Sequence, residues 1–200
     1  MNMEAWPPSV TLTGEHVSLV ELSLSHEQDL AEAASDGELH SLWFTTIPKP
    51  DEVKAEIERR LALRNSGSML PFGIIDRASG KVVGMTTYMN VDQANRRIEI
   101  GSTWYRKAVQ RSALNTECKL LLLRHAFQQL NCIAVEFRTH IMNTQSRRAI
   151  ERLGAKLDGI IRSHMIMQNG TIRDTASYSI IRFEWPAVEA NLIWQLEKPR

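Results

Sequence analysis

The segment from residue 96 to residue 139 constrains the fold more than any other part of this sequence. "RRIEIGSTWY" (96–105) alternates apolar and polar residues, which is typical of a strand, and "IAVEFRT" (133–139) is a second predicted strand. The apolar stretch between them predicts a helix at roughly 115–130. A strand, a helix and another strand in succession imply a parallel strand pair or a nearby crossover, and therefore an α/β domain.

The remaining elements fit a mixed α/β domain of the same kind. For 200 residues we expect one domain spanning 1–200, with a core at about 10–185 and a short C-terminal tail, 186–200, that forms a helical turn or two. The other predicted elements are strands at 16–22, 71–76 and 81–91, helices at 25–35, 49–67 and 143–154, and a hairpin of strands at 159–167 and 171–185.

The charge balance and the cysteines indicate where such a protein works. Lysine and arginine number 24 against 23 acids, so we expect neither a nucleic acid nor a membrane surface as partner. No apolar stretch approaches the roughly 18 residues of a membrane span, and the first residues do not resemble a signal peptide. Cys118 and Cys132 lie at opposite ends of one predicted helix, about 20 Å apart, too far for a disulfide. We therefore expect a reduced, cytoplasmic protein.

The entrance to the predicted central helix is polar. Gln110, Arg111, Ser112 and Asn115 crowd the point where the helix should begin. A helix start carries unpaired N–H groups and the positive end of the helix dipole, so it can hold an anion. Asn115 or Thr116 can cap the helix while Arg111 and Gln110 add donors. The alternative is that Asn115 is only a cap and Arg111 a solvated loop charge.

Two further groups of residues could carry chemistry. On a helix, Asn143, Ser146 and Ile150 lie on one face, although Asn143 could be only an N-cap and Ser146 only a first-turn residue. Glu99 stands between two isoleucines of a strand and points away from their face. In an edge strand Glu99 would be solvated, whereas in a central strand it must face a polar cleft, because an unpaired buried charge is costly.

The sequence favours neither a metal site nor a nucleic-acid track. The histidines, cysteines and acids show no metal-ligand spacing, so we expect no metal, and neither cysteine lies in a recognisable nucleophile motif. The arginine pairs at 59–60, 96–97 and 147–148 indicate solvated faces or ion pairs rather than contacts to nucleic acid.

Read together, these features resemble the GNAT superfamily of acetyl-CoA-dependent N-acetyltransferases. The resemblance runs from about residue 10 to residue 185 and is carried by "IEIGSTW", "QRSALNTECKLLLLRHAF", the pattern "VEFRT…N…S…IERLGA" and "RDTASYSI". It is similar above all to the branch of ribosomal-protein N-terminal-alanine and serine acetyltransferases. The resemblance implies an α/β (α+β) GNAT fold, with a central mixed, mostly antiparallel sheet, a splayed parallel strand pair and flanking helices.

The resemblance also implies acetyl-CoA as a co-substrate. Backbone N–H groups from 111 to 116 would hold its diphosphate, and its pantetheine arm would pair with the end of the preceding strand and contact Asn143. The implied cofactor-binding residues are Trp104, Tyr105, Arg106, Gln110, Arg111, Ser112, Ala113, Leu114, Asn115, Thr116 and Asn143.

The chain departs from the family pattern at a few positions. Ala113 stands where the diphosphate loop usually has glycine, and a Cβ costs energy wherever φ must be positive. Asn115 replaces another small residue of that loop. Ile150 stands where many members have a tyrosine that protonates the leaving thiolate, and Ser146 resembles the serine that the ribosomal-protein branch carries three residues after the asparagine.

The expected reaction is acetyl transfer to a primary amine by direct attack on the thioester, with Glu99 as catalytic base and Ser146 as catalytic acid. The acceptor would be a protein or peptide α-amine or a small-molecule amine, and the protein a monomer or a homodimer. Two alternatives stay open. One is a non-catalytic acyl-CoA-binding or regulatory GNAT domain, which Ala113 and Ile150 would suit, and the other is a nucleic-acid-binding or scaffold protein.

Overall fold

A single mixed sheet forms the framework of the structure, a computed structural model that describes residues 6–198. Its strands are β1 (Leu12–Thr13), β2 (Val17–Glu21), β3 (Met69–Asp76), β4 (Val82–Asp92), β5 (Arg97–Tyr105), β6 (Ala134–His140), β7 (Lys156–Ile166) and β8 (Ile172–Ile181). They lie in the order β1-β2-β3-β4-β5-β6-β8-β7, and only β5 and β6 pair in parallel within this range. The mixed, mostly antiparallel sheet expected from the sequence is confirmed.

Helices cover both faces of the sheet. Adjacent residues of β5 point to opposite faces, as strand alternation requires, so Trp104 packs in one core and Tyr105 in the other. The smaller core lies under α1 and α2, and the larger under α3 and α5. The α-helices of the described residues are α1 (Glu27–Ser35), α2 (Val53–Asn65), α3 (Ala113–Arg124), α4 (Thr144–Arg152) and α5 (Trp185–Glu197). None of these is long and apolar enough to cross a membrane.

The parallel strands β5 and β6 separate after a short contact. Only residues 97–99 of β5 pair with residues 134–136 of β6, although both strands continue well beyond. Ser102 has φ of 49°, and the register of β5 against β4 shifts between Gly101 and Trp104. Because Ser102 and Thr103 together oppose a single residue of β4, they form a β-bulge that bends β5. The splayed parallel pair expected from the sequence is therefore present.

Among the helix boundaries that differ from the sequence-based expectation, the start of α3 and the extent of α5 matter most. The central helix begins at Ala113 and is capped by Ser112, so the prediction that Asn115 or Thr116 caps it is wrong. The last helix, α5, has 13 residues where a turn or two was expected. It extends because Trp185, Val188 and Leu192, at helical spacing, are buried in the larger core.

The turn before β2 is fixed by a carboxylate from α3. Glu117 is buried and accepts hydrogen bonds from the backbone N–H groups of Glu15, His16 and Val17, at 2.7, 2.7 and 2.8 Å. A Cβ at Gly14 would overlap this carboxylate, so the turn needs glycine for close approach. Charge-assisted bonds of this kind tie the N-terminal strands to the helix whose start forms the candidate active site.

We predict that Glu117→Gln lowers the free energy of unfolding by about 2–3 kcal/mol, because an amide cannot accept all three N–H bonds with a full charge. Urea unfolding followed by circular dichroism measures the change. Glu58→Gln, on an exposed position of α2, is the control and should change stability by less than about 0.5 kcal/mol. Equal stability of the two variants would contradict the role given to Glu117.

Candidate active site

A tight loop joins β5 to α3 and fixes the start of that helix. The Ser112 hydroxyl donates to the Val109 carbonyl at 2.7 Å, and its Oγ accepts from the Leu114 N–H at 3.2 Å. Gln110 closes the loop, because its Nε2 donates to the Tyr105 carbonyl at 3.1 Å. Gln110 and Ser112 thus shape the loop with their side chains, and apart from the N–H of Leu114 the backbone N–H groups of the first helical turn remain for a ligand.

The left-handed position of this loop is Arg111 rather than Ala113. Arg111 has φ of 61°, a conformation that favours glycine. Ala113 is the first residue of α3 and has helical geometry, for which alanine is well suited. The alanine that replaces the family glycine therefore places no strain on the loop of this chain.

Two arginines whose side chains lie near the start of α3 have no carboxylate partner within the described chain. Arg111 is exposed in the loop itself. Arg152 reaches across from α4, and both its Nη atoms donate to Thr116 Oγ1 at 3.2 Å. Arg106, in contrast, is held 3.3 and 3.2 Å from two carboxylates at the end of α1, which leaves only its backbone for a ligand. The positive charges of Arg111 and Arg152, together with the helix dipole, make this helix start favourable for an anion.

The side chains of residues 114–116 point inward. Leu114 is buried in the larger core and Thr116 accepts from Arg152. The Oδ1 atom of Asn115 is buried and has no partner among residues 6–198. An amide oxygen is an acceptor, so Asn115 in this orientation suits an N–H donor of a ligand, or a water, rather than a phosphate oxygen.

Beyond its three residues paired with β6, β5 has an open edge. No strand of the described chain, residues 6–198, pairs with the backbone of residues 101–105 on the β6 side. Trp104 and Tyr105 bury their side chains in opposite cores, so these predicted site residues can contribute only main-chain groups, and the Tyr105 carbonyl already accepts from Gln110. An extended ligand that carries amide groups can add to such an edge as a further strand.

Asn143 and Ser146 form the start of α4. Asn143 is the N-cap, since its Oδ1 accepts from the Ser146 N–H at 3.0 Å. The Ser146 hydroxyl makes no hydrogen bond with other described residues. Tyr178, from β8, bonds to two side chains of α4 at 2.9 and 2.8 Å, so its hydroxyl is already engaged. Ile150 is buried on the same helix and has no group that could act on a proton.

Glu99 lies on the opposite face of the sheet from α3, and 5% of it is exposed. Its Oε2 accepts from Asn90 Nδ2 at 2.7 Å and lies 3.5 Å from Arg138 Nε. Burial raises the pKa of Glu99, and the Asn90 bond and the Arg138 charge oppose that rise. Its Oε1 has no hydrogen-bond partner in the described range, so the carboxylate is held by one oxygen and offers the other.

Sheet register gathers further polar residues around Glu99. The parallel pairing sets Glu99 beside Glu136, and the antiparallel pairing of β6 with β8 sets His140 beside Thr175, all on one face. Trp43, in the segment between α1 and α2, lies edge-on to the His140 ring with centroids 5.1 Å apart. We call this group of polar side chains the Glu99 cleft, and define it by Asn90, Glu99, Arg138, His140 and Arg173.

Four of these five residues were not predicted from the sequence. Arg138 and His140 alternate with Glu136 along β6, and this period-2 pattern of polar residues could have indicated a polar strand face. Asn90 and Arg173 gave no such signal, because their position depends on a bulge in β4 and on the register of β8. In the part of the chain described, no three His, Cys, Asp or Glu side chains are grouped to hold a metal ion.

Comparison with known proteins shows the family to which this chain belongs. Residues 16–156 match the family model described as the acetyltransferase (GNAT) domain, so the chain belongs to the GNAT acetyltransferases. It is 33% identical to a GCN5-related N-acetyltransferase from Brucella melitensis, whose crystal structure superposes with a TM-score of 0.85 over 96% of this chain and 89% of that one. The predicted family and the prediction of an N-acetyltransferase are therefore confirmed.

Two other similar proteins carry names from the predicted branch of ribosomal-protein acetyltransferases or share its fold. The chain is 32% identical over 106 residues to the Bacillus subtilis protein named "Putative ribosomal N-acetyltransferase YdaF", and the match covers 53% of this chain and 57% of that protein. This sequence likeness confirms the resemblance to the ribosomal-protein branch. The fold is shared with Mycobacterium smegmatis RimJ in complex with CoA-disulfide, at a TM-score of 0.80 and 20% identity, over 96% of this chain and 97% of that one.

We predict opposite effects on stability for two glycine substitutions in the loop. Arg111→Gly should stabilise the fold by up to about 1 kcal/mol, because glycine adopts positive φ without penalty. Ala113→Gly should destabilise it by up to about 1 kcal/mol, because the residue is helical. Urea unfolding of wild type and both variants measures the two changes in the free energy of unfolding. A stabilising Ala113→Gly would mean that position 113, and not 111, carries the strain.

Proposed function

We propose that this N-acetyltransferase takes its acetyl group from acetyl-CoA and transfers it to a primary amine bound in the Glu99 cleft. The observation that carries the proposal is the meeting of an open strand edge, residues 101–105, with the start of α3. An edge that can pair with amides beside a helix start that favours anions suits a molecule in which a pantetheine arm is joined to a diphosphate. The complex of M. smegmatis RimJ with CoA-disulfide supports the same donor.

In this proposal the chain binds the donor mainly with its backbone. The N–H groups of residues 111–116 hold the diphosphate, and Arg111 and Arg152 supply positive charge beside it. The backbone from Trp104 to Arg106 and the side chain of Asn143 hold the pantetheine arm. Asn143 can do so with its amide NH₂, because its Oδ1 is used as the helix cap.

The chemistry needs a base for the amine and a proton for the thiolate. The amine nitrogen attacks the thioester carbonyl, and a new N–C bond forms as the C–S bond breaks. The amine proton passes to Glu99 Oε1, directly or through a water, and Glu99 then releases it to solvent. The thiolate takes its proton from the Ser146 hydroxyl, which regains one from solvent, or directly from solvent. A thiol pKa near about 8.5 makes acid assistance modest, so Ser146 contributes less than donor binding does.

The acceptor in the proposal is an α-amine of a protein or peptide, or a small-molecule amine of similar basicity. An α-amine has a pKa of about 7.7–8.0 and a lysine amine about 10.4, so the α-amine is deprotonated far more easily near pH 7. The name of the B. subtilis relative agrees with a protein acceptor. The two buried free cysteines agree with a reducing, cytoplasmic setting.

The non-catalytic alternative loses one of its two grounds. It depended on Ala113 weakening the loop and on Ile150 replacing a tyrosine acid. Ala113 is helical and unstrained, and the Ser146 hydroxyl lies at the start of the helix that carries Ile150. A buried carboxylate with one free oxygen has a use in catalysis that mere binding of acyl-CoA would not require.

Donor binding is the first test. Calorimetry should give a micromolar Kd for acetyl-CoA, and Arg111→Glu should weaken binding tenfold or more, roughly 1.4 kcal/mol, because it sets a negative charge against phosphate. Lys54→Glu, an equal charge reversal on an exposed position of α2, is the control and should leave the Kd unchanged. No binding at millimolar acetyl-CoA would exclude the proposed donor.

The base is tested by the pH profile of Glu99→Gln. Since burial raises the pKa of Glu99, wild-type kcat/KM should fall as the pH drops through that pKa and the carboxylate takes up its proton. Glu99→Gln should lower kcat/KM at neutral pH by about 10²-fold, and less at high pH, where the amine arrives deprotonated. Ser146→Ala, the comparison variant, should lower kcat without this pH dependence. Equal activity of Glu99→Gln and wild type from pH 6 to 9 would exclude Glu99 as base.

A further inference from the structure

The positive charge of the Glu99 cleft exceeds its negative charge. Arg138 and Arg173 carry two guanidinium groups, and Glu99 is the one carboxylate of the cleft. Neighbouring Glu136 is shared by Arg97 and Arg138, at 3.1 and 3.0 Å, so counting Glu136 together with Arg97 adds one negative and one positive charge and leaves the balance unchanged. Burial and the Arg173 charge lower the pKa of His140, and the Asp174 charge opposes this without reversing it, so we count no positive charge from His140. The cleft therefore has a net charge of about +1 before any acceptor enters.

Arg173 is the cleft residue for whose charge the described part of the chain supplies no carboxylate partner. Its Nε donates to Thr175 Oγ1 at 2.8 Å, and no carboxylate among the described residues lies within ion-pair distance of it. The adjacent Asp174 faces away and pairs with Arg162 at 2.7 Å. Strand register places Arg173 on the same face of the sheet as Glu99, and the charge of Glu99 opposes the lowering of the Arg173 pKa by burial. A half-buried guanidinium without a carboxylate is costly unless something binds to it.

The reaction itself makes this imbalance larger. When Glu99 accepts the amine proton it becomes neutral, and Arg138 and Arg173 are left with only the shared Glu136 nearby. An acceptor with a second positive charge, such as a polyamine, would add repulsion to this state. An acceptor that carries a carboxylate close to its amine would bring the missing negative charge, and a guanidinium binds a carboxylate through two parallel N–H bonds.

We propose that Arg173 selects acceptors in which a carboxylate lies close to the reacting amine. This inference rests on the proposed function and names the substrate class of the same cleft. The amine lies at Glu99 Oε1 and the carboxylate at the Nη atoms of Arg173, for which the structure gives no hydrogen bond within residues 6–198. Two kinds of acceptor carry a carboxylate close to an amine: a free α-amino acid, or a peptide with an acidic side chain directly after its first residue.

Matched acceptor pairs separate these two kinds of acceptor. One arm compares alanine with alaninamide, and the other compares the peptide amides Ala-Asp-Ala and Ala-Asn-Ala. We expect the carboxylate member of one pair to have a kcat/KM tenfold or more above its neutral partner, and Arg173→Gln to reduce that ratio to near one. Arg162→Gln removes the same charge from the neighbouring strand, where the arginine already has a carboxylate partner. It should leave the ratio unchanged.

A binding measurement makes the result independent of turnover. The N-acetylated forms of the same four compounds are titrated by calorimetry into the protein saturated with coenzyme A. Tighter binding of a carboxylate form by tenfold or more, lost in Arg173→Gln but kept in Arg162→Gln, supports the proposal. Equal binding of both members of each pair, no binding of any, or a preference that survives Arg173→Gln overturns it. Failure of acetyl-CoA itself to bind would instead overturn the proposed function.

Discussion

The bulge in β5 is the feature on which the rest of the active site depends. Without it, β5 and β6 could stay paired along their length, and no open edge would exist beside the start of α3. Two buried cations hold the bulge from opposite faces of the sheet. Arg60 of α2 donates to the Ser102 carbonyl at 3.2 Å and to Thr87 at 2.8 Å, and Lys119 Nζ of α3 donates to Thr103 Oγ1 at 2.9 Å.

These two cations are costly to bury, and they differ in how the cost is offset. Arg60 has an ion pair with Glu56 at 2.7 Å, but Lys119 has no carboxylate at ion-pair distance in the described chain. Burial lowers the pKa of Lys119 and also that of Arg60. Apolar side chains of the same volume would stabilise such interior positions at least as well. We infer that the two cations serve to fix the geometry of the bulge rather than the stability of the core.

The sequence predicted the elements of the fold better than their ends. Alternating strands and apolar helices have strong periodic signals, and these located β2 to β8 and α1 to α4. The start of α3 was misplaced because Ser112, Asn115 and Thr116 can all cap a helix, and only the bond from Ser112 to Leu114 decides among them. The length of α5 could have been predicted, because Trp185, Val188 and Leu192 already have helical spacing in the sequence.

The two ends of the candidate site differ in how far a sequence could predict them. The donor end is local: loop, cap and helix start occupy about ten consecutive residues, so a motif can describe it. The Glu99 cleft draws its residues from β4, β5, β6 and β8, and they meet only through the register of three strand pairs. A shift of one residue in the pairing of β8 would turn Arg173 to the opposite face and bring Asp174 into the cleft. The charge that selects an acceptor is thus set by strand register, which no motif in the chain records.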